Sequence, residues 1–87
     1  MESFEKLVKK ELASARKKHG NQSNIHEAFA ILLEEVDEFW EHVRAKSDKR
    51  DYKKVLEELV QIGSCVQKTA EDVVIPAINN KKKKRRR

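Results

Sequence analysis

The chain reads as an all-α protein, an antiparallel helical bundle completed by oligomerisation, and three observations predict this. Charged residues are 40% of its 87 positions and there are only two glycines and one proline, a composition that suits long exposed helices and not the turns of a β fold. Apolar residues recur at helical spacing over three stretches separated by short polar connections. A chain this short buries only a thin core by itself, so association is the default way to complete it.

The formal charge of +5 is misleading as a description of the body. Residues 81–87, KKKKRRR, carry all of the excess; residues 1–80 hold thirteen Lys and Arg against fifteen Asp and Glu. One helical domain is expected over 1–78, followed by a basic tail at 79–87. That tail has too little apolar surface to pack, and block-like charge favours disorder or a helix formed only against a partner. Its lack of interleaved aromatics or glycines argues against base readout, leaving non-specific, salt-sensitive nucleic-acid binding, contact with an acidic partner, a localisation signal or a solubilising role. Cys65 is the only cysteine, which excludes an intramolecular disulfide framework and a multi-cysteine zinc site. No apolar run is long enough for a membrane span, and MESFEKLVKK starts an amphipathic helix and not a signal peptide. The expected setting is soluble, reducing and cytoplasmic.

Helix 1 is expected over residues 2–19, with Phe4, Leu7, Val8, Leu12 and Ala15 on one face and Gly20 as its stop. Its lysines mostly lie off that face, with a minority available to a bound anion. GNQSN at 20–24 is a polar turn in which Ser23 or Asn24 caps the next helix, with Glu27 completing a capping box. His26-Glu27 does not begin a zinc-protease motif, because position 30 is alanine.

Helix 2 runs to about Lys46 and is the stretch that matters most. Ile25, Ala28, Phe29, Leu32, Val36, Phe39, Trp40 and Val43 form its apolar stripe, with Phe29, Phe39 and Trp40 read as core or dimer interface. Its carboxylates are not equivalent. At roughly 100° per residue, with Leu32 facing inward, Glu35 lies about 60° and Glu38 about 120° to one side, whereas Glu34, Asp37 and Glu41 point to water. SDKRD at 47–51 connects to helix 3, capped by Asp48 or Asp51 and running from about Tyr52 to Val74. Its predicted buried stripe is Tyr52, Val55, Leu56, Leu59, Gly63, Val66, Ala70 and Val73, and Pro76 ends it or starts a short final segment.

The short connection makes helices 2 and 3 antiparallel neighbours. Glu35 and Glu38 then share a flank with Glu58 and Gln61, and their heights match: Glu38 faces Glu58, and Glu35 faces Gln61 one turn further on. These are hard oxygen donors, which suit Mg2+ or Mn2+ and not zinc or copper. Three carboxylates at one spot repel one another unless a cation neutralises them, and carboxylate-held magnesium typically serves phosphate chemistry. Lys54, one turn from Glu58, is a candidate phosphate contact or an ion-pair partner of Glu58. His42 and Cys65 lie on the same flank.

LLEEVDEFWEHV followed by LEELVQIGSCVQKTAEDV resembles the MazG-like, all-α nucleoside triphosphate pyrophosphohydrolases, over roughly residues 25–75. That family pairs an ExxE motif on one helix with an ExxD motif on the next. Glu35-Val-Asp-Glu38 matches the first, and Glu58-Leu-Val-Gln61 matches the second except at its last position. The resemblance implies a bundle completed as a homodimer or homotetramer, and Mg2+-dependent cleavage of an NTP or dNTP to the monophosphate and pyrophosphate. It implies that Glu35, Glu38 and Glu58 ligate the metal and carry catalysis, with Glu34 or Glu35 assisting proton removal and Glu34 and Lys54 near substrate. Gln61 departs from the pattern: an amide oxygen can ligate but carries no charge, so weaker metal binding, fewer metals or an inactive homologue is expected. The family often places Lys and Asn beyond the second motif, where this chain has Asp72, Asn79, Asn80 and Lys81. The rival reading is a non-catalytic helical adaptor whose basic tail is the working part.

Overall fold

The computed structural model describes residues 1–22 and 24–85, with side chains as far as Lys81. Helix α1 spans Phe4–His19, α2 Ile25–Val43, α3 Tyr52–Thr69 and α4 Ile75–Arg85. A 3-10 turn at Ser47–Lys49 joins α2 to α3, and a π turn at Ala70–Val74 joins α3 to α4. No strand occurs among the described residues, and none of the helices is long and apolar enough to cross a membrane.

Local chemistry sets the boundaries. Ser3, Asn24 and Asp51 each stand before a helix in extended conformation, and their side-chain oxygens accept the orphan N–H groups of the first turn. Gly20 ends α1 at φ 72°, where its N–H reaches the Arg16 carbonyl at 2.8 Å. Arg50 closes α2 from outside, donating to the carbonyls of His42 (3.2 Å), Val43 (2.7 Å) and Ala45 (3.0 Å). Helix α2 therefore stops at Val43, earlier than the expected Lys46.

The third helix also ends differently from expectation. Pro76 has no N–H to give the Asp72 carbonyl and its ring crowds that turn. The chain responds by widening: the Ile75 N–H bonds to Ala70, five residues back. The helix does not break at Pro76 but continues as α4, whose main packing among the described residues is against the π turn. From Tyr52 to Arg85 the backbone is thus one rod of roughly 50 Å at 1.5 Å per residue. It explains an extent of 61 Å and a radius of gyration of 15.9 Å, against roughly 12 Å for a compact domain of this length.

Helix α3 is central, with α1 and α2 packed on either side of it. Against α1, Val8, Leu12 and Val60 are buried. Gly63 faces α1 so closely that a Cβ there would sit 3.1 Å from Val8 Cγ2, which is why this position carries no side chain. Against α2, Ala28 and Ser64 are buried, and Leu32, Glu35, Phe39 and His42 are half-buried.

Only part of each expected apolar stripe is buried within the chain. Phe29 is 63% exposed, Trp40 56%, Tyr52 64% and Val66 51%, and Ile25, Val36, Val43 and Leu59 are also exposed. Helix α2 turns the Ala28–Leu32–Glu35–Phe39–His42 line inward, roughly 60–100° away from the centre of its apolar stripe. The reason is that α3 has two neighbours to satisfy. Its buried arc spreads towards both of them, leaving Tyr52, Leu59 and Val66 on an unpartnered side.

Candidate metal centre

The rotation that exposes the apolar stripe carries acid into the α2–α3 interface. One carboxylate oxygen from each of Glu35, Glu38 and Glu58 lies within 4.8 Å of the others. Glu35 and Glu58 are half-buried and Glu38 is exposed, so the group is rooted in the interface and opens to solvent through Glu38. His42 Nε2 stands 3.9 Å from Glu58 Oε1, the nearest counter-charge if it is protonated.

These carboxylates are under electrostatic stress. Burial, followed by the charges of Glu38 and Glu58, raises the Glu35 pKa from 4.5 to about 7. Burial and Glu38 also raise that of Glu58, opposed by His42. Glu35 Oε2 and Glu58 Oε2 are both buried without a hydrogen-bond donor, a condition that costs free energy unless something positive meets them. The donor set fits a hard divalent cation. Ligand oxygens at 2.0–2.1 Å around an octahedral Mg2+ stand about 3 to 4 Å apart, against a separation of up to 4.8 Å for these three side chains.

A cleft of about 590 Å³ opens beside the carboxylates, walled by α1, α2 and α3. Glu35 and Gln61 line one part of it, with Ser64, Cys65, Lys68 and Thr69 continuing along α3. Lys18 and His19, from the end of α1, and Asn21 and Gln22, from the following loop, line it as well. Leu59 and Val66 point roughly 160° from Gln61 and Lys68 around α3, so the cleft and the exposed apolar face lie on opposite sides of the central helix.

The structure therefore brings Glu35, Glu38 and Glu58 together and sets Gln61 with Glu35 in the adjoining cleft. Glu34 and Lys54 are exposed, and neither lines the cleft. Asn79, Asn80 and Lys81 stand on α4, also outside it, and Asp72 is engaged elsewhere. Cys65 is half-buried, donates weakly to the Ala28 carbonyl at 3.9 Å, and has its thiol pKa raised by burial. Lys68 and Ser64 were missed from sequence, although a signal existed: Glu58, Gln61, Cys65 and Lys68 repeat at i, i+3, i+7, i+10 along one flank. No comparable signal placed Lys18, His19 or Gln22, which come from a different helix and a loop. Compared with protein-family models, curated proteins and solved structures, the chain matches none of them.

Proposed function

We propose that this chain is a divalent-metal-dependent nucleoside triphosphate pyrophosphohydrolase with a nucleotide-pool role, working as a homo-oligomer. The observation that carries this reading is the convergence of Glu35, Glu38 and Glu58, two of them with orphaned oxygens, beside a cleft that also receives Lys18 and Lys68. The two motif segments, with their likeness to the MazG-like enzymes, give it the reaction.

Glu35, Glu38 and Glu58 would hold Mg2+, or Mn2+, with the Gln61 amide oxygen as a neutral further ligand. Bound there, the ion would supply charge neutralisation for a polyphosphate and a water of lowered pKa. Lys18 and Lys68 meet phosphate charge from the cleft side, a placement that serves electrostatic stabilisation. In the reaction a water oxygen bonds to the α-phosphorus, the bridging α–β P–O bond breaks, and pyrophosphate leaves with the electron pair. Glu34 or Glu35 would accept the water's proton.

Surface chemistry supports the homo-oligomer. Phe29, Val36, Trp40, Leu59 and Val66 are too many exposed large apolar side chains for one side of a monomer. A second copy covers them without closing the cleft, which faces the other way.

Incubation with a panel of NTPs and dNTPs plus Mg2+ tests the reading, with pyrophosphate release as the readout and Glu38→Gln as control. Release that depends on Glu38 supports the enzyme. Absence of release, or release indifferent to that change, favours the helical adaptor, for which the uncharged Gln61 and the outlying α4 are the supporting observations.

A further inference from the structure

We infer that Arg16 and Asp72 form a latch that fixes the α1–α2 loop as one wall of the cleft, making both of them positioning residues for whatever binds there. Arg16 lies in the last turn of α1, and its Nη2 donates to Asp72 Oδ1 at 2.6 Å and to Glu71 Oε1 at 3.0 Å. The other oxygen of Asp72, Oδ2, accepts the backbone N–H of Gln22 at 2.9 Å. A single carboxylate on the π turn therefore ties down both the end of α1 and the loop that follows it, 56 and 50 residues away in sequence. Glu71 is braced in turn by Gln67 Nε2 at 2.9 Å.

Burial gives the contact its weight. The Asp72 side chain is only 7% exposed, whereas ion pairs in open solvent contribute little. Arg16 Nε is buried and unpartnered, so the hydrogen bonds its guanidinium does make, to the two carboxylates, matter more. Among the described residues, few other contacts hold this segment. Helix α1 packs on α3 and not broadly on α2, and Gly20, with its positive φ, sits in the middle of the stretch. Lys18, His19, Asn21 and Gln22, the residues that the latch brackets, are those that α1 and its loop contribute to the far end of the cleft from Glu35.

The position of Asp72 follows from the proline. Pro76 forces the π turn, and that turn presents Glu71 and Asp72 towards α1. The proline that a sequence reading treats as a helix end or the start of a final segment thus lies beside the turn whose latch acts on a loop at the opposite end of the sequence.

Amide hydrogen exchange on the full chain tests this without needing any hydrolysis. In Asp72→Ala, and in Arg16→Gln, exchange over residues 17–22 speeds up by about tenfold or more, the loss expected for a charge-assisted hydrogen bond. The double variant should cost less than the sum of the two single changes, because they share the Arg16–Asp72 bond, and Arg16→Lys should recover only part of the protection, since one ammonium replaces a two-way guanidinium contact. Mn2+ affinity at the carboxylates stays within about twofold of the parent in all of them, because sites without shared partners act independently. The consequence for catalysis rests on the proposed hydrolase: KM for the triphosphate rises about tenfold while kcat changes little. Unchanged exchange at 17–22 in Asp72→Ala, or purely additive effects in the double variant, overturns the latch. If the parent protein releases no pyrophosphate, the hydrolase reading falls and exchange alone decides the latch. If Asp72→Ala fails to fold, the Arg16→Lys and Arg16→Gln pair decides it in the same way.

Discussion

Glu35 on α2 and Glu58 on α3 each bury an Oε2 that no donor meets, at a point where the two side chains and that of Glu38 converge. Two neighbouring helices have placed like charges together inside their own interface. That arrangement is unfavourable in the protein alone, and a cation bound there would relieve it.

The stability of the metal-free protein should therefore fall as pH rises. Glu35 has its folded pKa raised from 4.5 to about 7, so the native state holds a proton there that the unfolded chain has already lost. Its stabilising contribution is complete below the unfolded value and disappears as pH passes through the folded one, and Glu58 shifts in the same direction. Thermal melts in a chelator should show Tm dropping between about pH 5 and about pH 8, with Glu35→Gln flattening the slope. Mg2+ should restore Tm at the upper end and do little at the lower, where protons compete for the same oxygens. A Tm that ignores both pH and Mg2+ would remove the case for a cation site.

Gln61→Asp should tighten the site. It adds one negative charge beside Glu35 in the cleft, at the position where the resembled family has an acid. Mn2+ titration should show affinity rising by about tenfold, the effect of roughly 1.4 kcal/mol. Pyrophosphate release should rise with it. Weaker binding would mean that a fourth carboxylate only adds repulsion, and that Gln61 is not a ligand.

Leu59→Lys and Trp40→Glu should each dissociate the oligomer. Both side chains are exposed within one chain, on the side away from the cleft. If water were their normal environment, such surface changes would cost less than about 0.5 kcal/mol and alter nothing. Light scattering coupled to size exclusion distinguishes the outcomes. A parent chain that is already monomeric would sink the prediction.

Arg50→Ala should destabilise the fold by about 1–3 kcal/mol through loss of the charged donor that serves three carbonyls at the end of α2. One of these carbonyls belongs to His42, which faces Glu58, so Mn2+ affinity should fall modestly as well. Arg50→Lys should not rescue it fully, because an ammonium cannot span the three acceptors. Chemical denaturation of the three proteins checks the order.

Much of this molecule is written locally in its sequence. The caps at Asn24 and Asp51, the glycine stop after α1, and the antiparallel pairing of α2 and α3 depend on residues close to one another in the chain. The convergence of Glu35, Glu38 and Glu58 was legible for the same reason: one short connection fixes the relative height of two regular helices, and height plus helical phase fixes which side chains meet. Tertiary structure alone decided which face of each helix is inside. Amphipathicity marks a stripe that seeks cover but does not say whether this chain or another copy supplies it, and here α3, shared between α1 and α2, leaves Leu59, Val66, Phe29 and Trp40 outside. The π turn at Ala70–Val74 and the bond from Arg16 to Asp72 were equally hidden. Both depend on how a proline's missing hydrogen bond is absorbed and on contacts across more than fifty residues, and nearest-neighbour patterns carry no information at that distance.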